Sequence, residues 1–121
     1  MSTHIHRRFW LSLGWILVLL VMWLSLTTNP HPLDIQYNDK VGHLLAYATL
    51  AFWFGQLHPR RLVVVLACLA MGGSMELLQG LTDYRDMSLA DMFANGCGVA
   101  LGWLLARLVP DFFERLEAFL P

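Results

Sequence analysis

The chain has 121 residues, a formal charge of −1, 57% hydrophobic residues and 14% charged ones, whereas a soluble domain carries about 45–50% apolar residues with glycine counted and about 25% charged. That balance argues against a soluble single-core domain. A charge so near zero, with no basic stripe interleaved with aromatics, excludes nucleic acid as a partner.

A membrane-crossing helix needs about 20 mostly apolar residues, because no backbone polar group can be left to water inside the bilayer. The first such segment runs from about Phe9 to Thr27, carries no charge and stops at the helix-breaking "NPHP", Asn29 to Pro32. Arg7 and Arg8 before it resemble the start of a signal peptide. Its apolar run exceeds the usual 7–15 residues or so, and no small-x-small cleavage site follows, so an uncleaved span is expected.

The second span is predicted from about Lys40 to Leu57 and the third from about Leu62 to Leu81. Pro59, Arg60 and Arg61 form a tight turn between them that forces an antiparallel hairpin. The fourth runs from about Leu89 to Val109 and opens at Ser88 and Asp91, which match the capping-box pattern. Pro110 ends it. Beyond lies "DFFERLEAFL", with Phe112, Phe113, Leu116, Phe119 and Leu120 on one side and Asp111, Glu114, Arg115 and Glu117 around the other. That is the pattern of a short amphipathic helix lying in an interface. No repeat, low-complexity tract or linker divides the chain. The expected fold is therefore one all-α domain over residues 1–121, a bundle of four transmembrane helices with a short interfacial helix at its end.

Cys68 and Cys97 fall inside apolar segments, where a thiol acts as a small hydrophobe; they define no redox compartment and no disulfide. Orientation follows from the basic residues beside the spans. Arg7, Arg8, Arg60, Arg61, Arg107 and Arg115 share one side, and only Lys40 and Arg85 occupy the other. Both termini are expected in the cytoplasm, with the loops Asn29–Asp39 and Thr82–Met87 outside.

Depth can be counted at about 1.5 Å per residue from the outer ends of the spans. Asp39 and Lys40 fall at the rim, His43 one turn in and Tyr47 two turns in. Glu76 falls roughly 7–8 Å below Leu81, Gln79 nearer the surface, and Asn95 about 9 Å below Leu89. Residues three or four apart share a helix face. Span two thus stacks Asp39, His43 and Tyr47. Span three stacks Gly72/Gly73, Glu76, Gln79/Gly80 and Asp83, and span four Ser88, Asp91, Asn95, Gly98 and Gly102. Small residues four apart, as at Gly98 and Gly102, let backbones approach, so these stripes are expected to face one another and to gather the charges between helices.

Taken singly, Asp39 and Lys40 read as a helix cap and a snorkelling lysine, Ser88 and Asp91 as a cap, and Arg85 as a loop charge. Glu76 does not reduce to such a role. A carboxylate that deep in a span costs on the order of 2.5–3.5 kcal/mol on insertion scales unless paired or protonated, and such residues mark functional paths. The competing reading is a polar knot that ties three helices together.

"DKVGHLLAYATL", "MELLQG" and "YRDMSLADMFANGCGVALG" together resemble the VanZ-like family of small bacterial membrane proteins, over about residues 38–104. Its pattern falls here on Asp39, Lys40, His43, Tyr47, Glu76, Gln79, Arg85, Ser88, Asp91, Asn95, Gly98 and Gly102. The resemblance implies a bacterial inner-membrane protein of the cell envelope. The family takes its name from a protein associated with low-level teicoplanin resistance, and the resemblance implies no particular reaction.

Three functional classes compete. The first is a binding module whose outward polar pocket takes a lipid head group, a cell-wall precursor or a glycopeptide. In it Lys40 and Arg85 pair with phosphate or carboxylate, Glu76 and Asp91 accept from amines or hydroxyls, and Tyr47, Gln79 and Asn95 orient the ligand. The second is an enzyme on a lipid-linked substrate, with His43 as general base, Glu76 as acid and Arg85 as the stabiliser of negative charge. No nucleophile motif supports it. A metal site from His43, Glu76 and Asp91 is a weaker variant, since the Glu-x-x-His pairs of carboxylate-bridged bundles are absent, and no cofactor is expected. Transport lacks a path of ionisable residues through the inner halves of the spans. The glycine stripes also admit association of copies.

Overall fold

The computed structural model describes residues 6–26, 36–81 and 89–119, with side chains for 6–25, 41–81 and 89–119. Among these the chain is all α: α1 Arg7–Leu26, α2 Gln36–Leu57, α3 Arg61–Gly80, α4 Leu89–Leu108 and α5 Phe112–Glu117. The helices fall where the apolar segments predict them. The largest departure is the start of α2, at Gln36 rather than Lys40. Hydropathy marks where lipid begins, whereas a helix runs on through polar residues until proline or a turn stops it.

Three helices are long and apolar enough to cross a membrane among the described residues: Arg7–Ser25, Arg61–Gly80 and Leu89–Leu108. Their outward rows are bare leucine, isoleucine and aromatics, among them Trp15, Ile16, Leu19 and Trp23 on α1, Leu62, Leu66 and Leu69 on α3, and Leu101, Leu104 and Leu108 on α4. No soluble monomer exposes apolar surface on that scale, and lipid is the solvent that suits it. The chain is a multi-pass membrane protein. Helix α2 is not among the three apolar ones, and its position explains why. It is the central helix, packing most extensively on α4 and also touching α1 and α3. A helix so covered can carry polar groups at the end away from the Arg60–Arg61 turn.

The α2–α4 contact is a backbone contact. A Cβ built on Gly98 would overlap the Leu44 carbonyl, and one on Gly102 the Ala48 carbonyl, with the Ala51 Cβ only 2.8 Å away. The two glycines four apart therefore let α4 lie directly on α2, as the small-residue spacing predicts. Beneath the polar layer, Tyr47, Leu50, Ala51, Val64, Cys68 and Val99 form the apolar core, and both cysteines are free thiols. Gly72 faces Asn95 and Tyr47, whereas a Cβ built on Gly73, grouped with it on the basis of spacing, would meet nothing within 4 Å among the described residues.

The basic ends of the helices lie together. Arg7 Nη2 donates to the Leu57 carbonyl (2.7 Å), tying the start of α1 to the end of α2. Gln56 Nε2 donates to the Val109 carbonyl (2.7 Å) while its Oε1 accepts from the Phe112 N–H (3.1 Å), which joins α4 to α5. The turn into α5 passes through Asp111 in the left-handed region, φ 59°.

Helix α5 differs from a simple interfacial stripe. Phe113 turns inward, stacked on Trp10 at 4.4 Å between ring centroids and against Trp53 at 4.7 Å, and is buried with Trp10 and Leu57. Leu116 and Phe119 stay exposed. A six-residue helix has too little apolar face to serve both the bundle and the bilayer with one stripe, so the stripe is split.

Candidate functional site

The polar residues of three helices meet at the end of the bundle opposite the basic turn. Helix α2 contributes His43 and, one turn further in, Tyr47. Helix α3 brings Gly72, Glu76 and Gln79 on its buried row, and α4 brings Asp91, Asn95, Gly98 and Gly102 on its own. Each set repeats at three or four residues, the spacing that keeps one face of a helix toward its neighbours. Glu76 is 0% exposed, Gln79 1%, Asn95 3% and Asp91 6%. Four polar side chains so deeply buried in a membrane bundle can exist only because they are held together.

His43 is the hub. Its Nδ1 lies 2.7 Å from Asn95 Oδ1, and its Nε2 faces Asp91 Oδ2 at 3.8 Å. An amide oxygen can only accept, so Nδ1 carries the proton of that bond and Nε2 is the nitrogen presented to the carboxylate. Ligand atoms of His43, Glu76 and Asp91 all lie within 4.8 Å of one another. Among the described residues the Tyr47 hydroxyl and Asn95 Nδ2 have no hydrogen-bond partner although both are buried, while the Tyr47 ring and the Asn95 amide both border Gly72. At close quarters there are thus an imidazole, two carboxylates, an amide and a phenol: a set able to hold a cation, bind a polar ligand or pass a proton.

Gln79 is engaged differently from a free amide donor. Its Nε2 donates to the Ser25 carbonyl at 2.6 Å, fastening the end of α1 to α3. Sequence spacing could not have paired these two, since nothing local links a carbonyl on α1 to a side chain on α3. The side chains of Asp39 and Lys40, together with Asp83, Arg85, Ser88, residues 29–35 and the loop Thr82–Met87, lie outside the described residues, as does Leu120, while residues 36–39 of the expected first loop belong to α2.

Two further features are remote from this cluster. An almost wholly apolar cavity of 340 Å³ lies between α1, α2 and α3, lined by Trp15, Leu50, Phe54, Val64, Cys68 and Met71 among others; it offers room but no chemistry. At the basic end, Glu117 accepts from the Trp10 indole N–H (2.6 Å) and from the His6 backbone N–H (2.9 Å). These bonds stabilise its charged form and hold its carboxyl below the usual range. Neither Trp10 nor Glu117 stands out in the sequence as part of such a latch.

No curated protein and no solved structure matches this chain. The pattern of one family, described as VanZ/LLP1, matches residues 7–110 and so takes in all four long helices and every residue of the polar cluster. On that match the chain belongs to the VanZ/LLP1 family.

Proposed function

We propose that this protein is a four-pass protein of the bacterial inner membrane, with α2 as the fourth crossing, both termini in the cytoplasm, and a polar site at the outer ends of α2, α3 and α4. Its ligand is an anionic component of the cell envelope, a phosphate-bearing lipid head group or lipid-linked cell-wall precursor. Lys40 and Arg85 take the phosphate, and His43, Glu76, Asp91 and Asn95 form the polar floor beneath it. Helix α5 rests at the inner interface with Leu116 and Phe119 toward lipid. The family's link to teicoplanin resistance, a phenotype of the cell wall, agrees with a ligand of this class.

One observation carries the reading: His43, Glu76, Asp91 and Asn95 converge from three helices in a bundle whose buried side chains, Gln79 apart, are otherwise apolar among the described residues. Maintaining such a group is expensive in lipid, and a purely structural purpose would be served by apolar packing. The experiment is a binding titration of purified protein in detergent with an isoprenoid phosphate and with anionic and zwitterionic phospholipids. Saturable binding that weakens at least about tenfold in Arg85→Gln and Lys40→Gln is expected, the loss of a charge-assisted contact being worth about 1.5–3 kcal/mol. If the protein binds none of these lipids, the cluster is a polar knot and the proposal is wrong.

A further inference from the structure

We infer that His43, Glu76 and Asp91 bind one divalent transition-metal ion of the manganese or zinc class, with Asn95 positioning the imidazole. The three ligand atoms come from three different helices and lie within 4.8 Å of one another. Around an ion about 2.1 Å from each ligand, neighbouring ligand atoms sit about 3.0–3.4 Å apart and an opposite pair about 4.2 Å. Drawing the three atoms in to those separations takes rotation of the carboxylate side chains about their own bonds.

The His43–Asp91 separation fits the same arrangement. At 3.8 Å, Nε2 and Oδ2 are too far apart for an N–H···O bond, which spans about 2.7–3.2 Å. They are well placed for two ligands of one ion. On the other side of the ring, Nδ1 is committed to Asn95 Oδ1 at 2.7 Å. A metal-bound histidine commonly donates its second N–H to an oxygen in this way, which fixes the tautomer and turns the bare nitrogen toward the ion.

Two groups outside the ligand set point to an occupant. Among the described residues the Tyr47 hydroxyl, on a residue 1% exposed, has no hydrogen-bond partner, and neither has Asn95 Nδ2 on a residue 3% exposed. Tyr47 sits one turn inward of His43 on the same face of α2 and within electrostatic range of Glu76. Both groups are suited to hydrogen-bond a water or ligand oxygen completing the coordination of an ion held above them. An imidazole among carboxylates selects manganese, iron or zinc over calcium and magnesium, which take oxygen ligands alone.

The inference shares its residues with the ligand reading but does not depend on it. Its test is uptake of manganese by the full-length protein, purified in detergent and stripped with chelator, followed by electron paramagnetic resonance. Manganese is preferred as probe because, unlike zinc, it has little affinity for the free thiols of Cys68 and Cys97. The expected result is one Mn²⁺ per chain, with affinity falling about 100-fold in His43→Ala and Glu76→Gln and about 10- to 100-fold in Asn95→Leu. The bound ion should show hyperfine coupling to one imidazole nitrogen, a readout that needs no variant and holds even if a substitution prevents folding.

Absence of uptake by the wild-type protein, or uptake without nitrogen coupling, overturns the inference and leaves the three residues as an ion-paired knot. Uptake that is undiminished in folded His43→Ala does the same, by moving the ion elsewhere. Lipid binding retained without Mn²⁺ uptake defeats this inference alone. Mn²⁺ uptake retained in Arg85→Gln with no lipid binding by any form defeats only the ligand reading.

Discussion

His43 Nδ1 and Asn95 Oδ1 lie 2.7 Å apart, a part-buried bond that joins α2 to α4 within the polar layer. Asn95→Leu keeps the volume but leaves the imidazole N–H without its acceptor, and an unsatisfied buried polar group costs about 1–3 kcal/mol. A lower unfolding midpoint in detergent is expected. An unchanged midpoint would mean that the imidazole finds another partner at no cost, and that the bond does not organise the layer.

The glycines of α4 permit a sharper comparison. Gly102→Val places a side chain against the Ala48 carbonyl and the Phe52 backbone nitrogen, 2.9 Å from where the Cβ would sit. Backbone cannot rotate aside, so destabilisation of at least about 1–3 kcal/mol is expected, the ordinary penalty of overpacking. Gly73→Ala, with nothing within 4 Å, should hold or raise the midpoint, because alanine is favoured over glycine in a helix by about 0.8–1 kcal/mol. Thermal unfolding of the two variants side by side checks both directions.

At the basic end, the lowered pKa of Glu117 makes the α1–α5 contact sensitive to acid. A carboxyl whose folded-state pKa is depressed contributes stability above its unfolded value, about 4.3, and that contribution is lost as pH falls through the folded value. Acidification below about pH 4 should therefore release α5 from Trp10, seen as a change in tryptophan fluorescence and as faster proteolysis at the C-terminus. Glu117→Gln should remove this pH dependence. Trp10→Phe, lacking the indole donor, should move the transition toward higher pH.

Because Arg7 touches Leu57 and Gln56 touches Val109, the start of α1 and the ends of α2 and α4 share one end of the bundle. With Arg60 and Arg61 in the same place, the charge rule predicts that this end is cytoplasmic. Topology reporters fused after His58 and at the C-terminus should both read cytoplasmic. A reporter after His58 that reads extracytoplasmic would invert the bundle and place the polar site inside the cell.

The three apolar helices α1, α3 and α4 were legible because bilayer thickness imposes a length on them and lipid tolerates few charges, two constraints that act residue by residue along the chain. The sharing of a face by His43 and Tyr47, by Gly72 and Glu76, or by Asp91, Asn95, Gly98 and Gly102 follows in the same way from helical period. So the convergence of His43, Glu76, Asp91 and Asn95 and the Gly98/Gly102 contact could be anticipated. The start of α2 could not, since its first turn is polar and carries no lipid signal.

Periodicity determines which residues share a face, but not which faces meet or which atoms touch. Only the packed bundle makes Asn95 the acceptor for His43, turns Nε2 toward Asp91, spends the Gln79 amide on Ser25 and folds Phe113 inward onto Trp10. Each of these pairs unites helices far apart in the chain, and its geometry depends on how closely backbones approach. Here that approach is decided by two glycines lying against the carbonyls of α2. Local sequence thus determined the helices and their stripes; the tertiary structure alone decided the contacts, because contact is a property of two surfaces and sequence period describes one at a time.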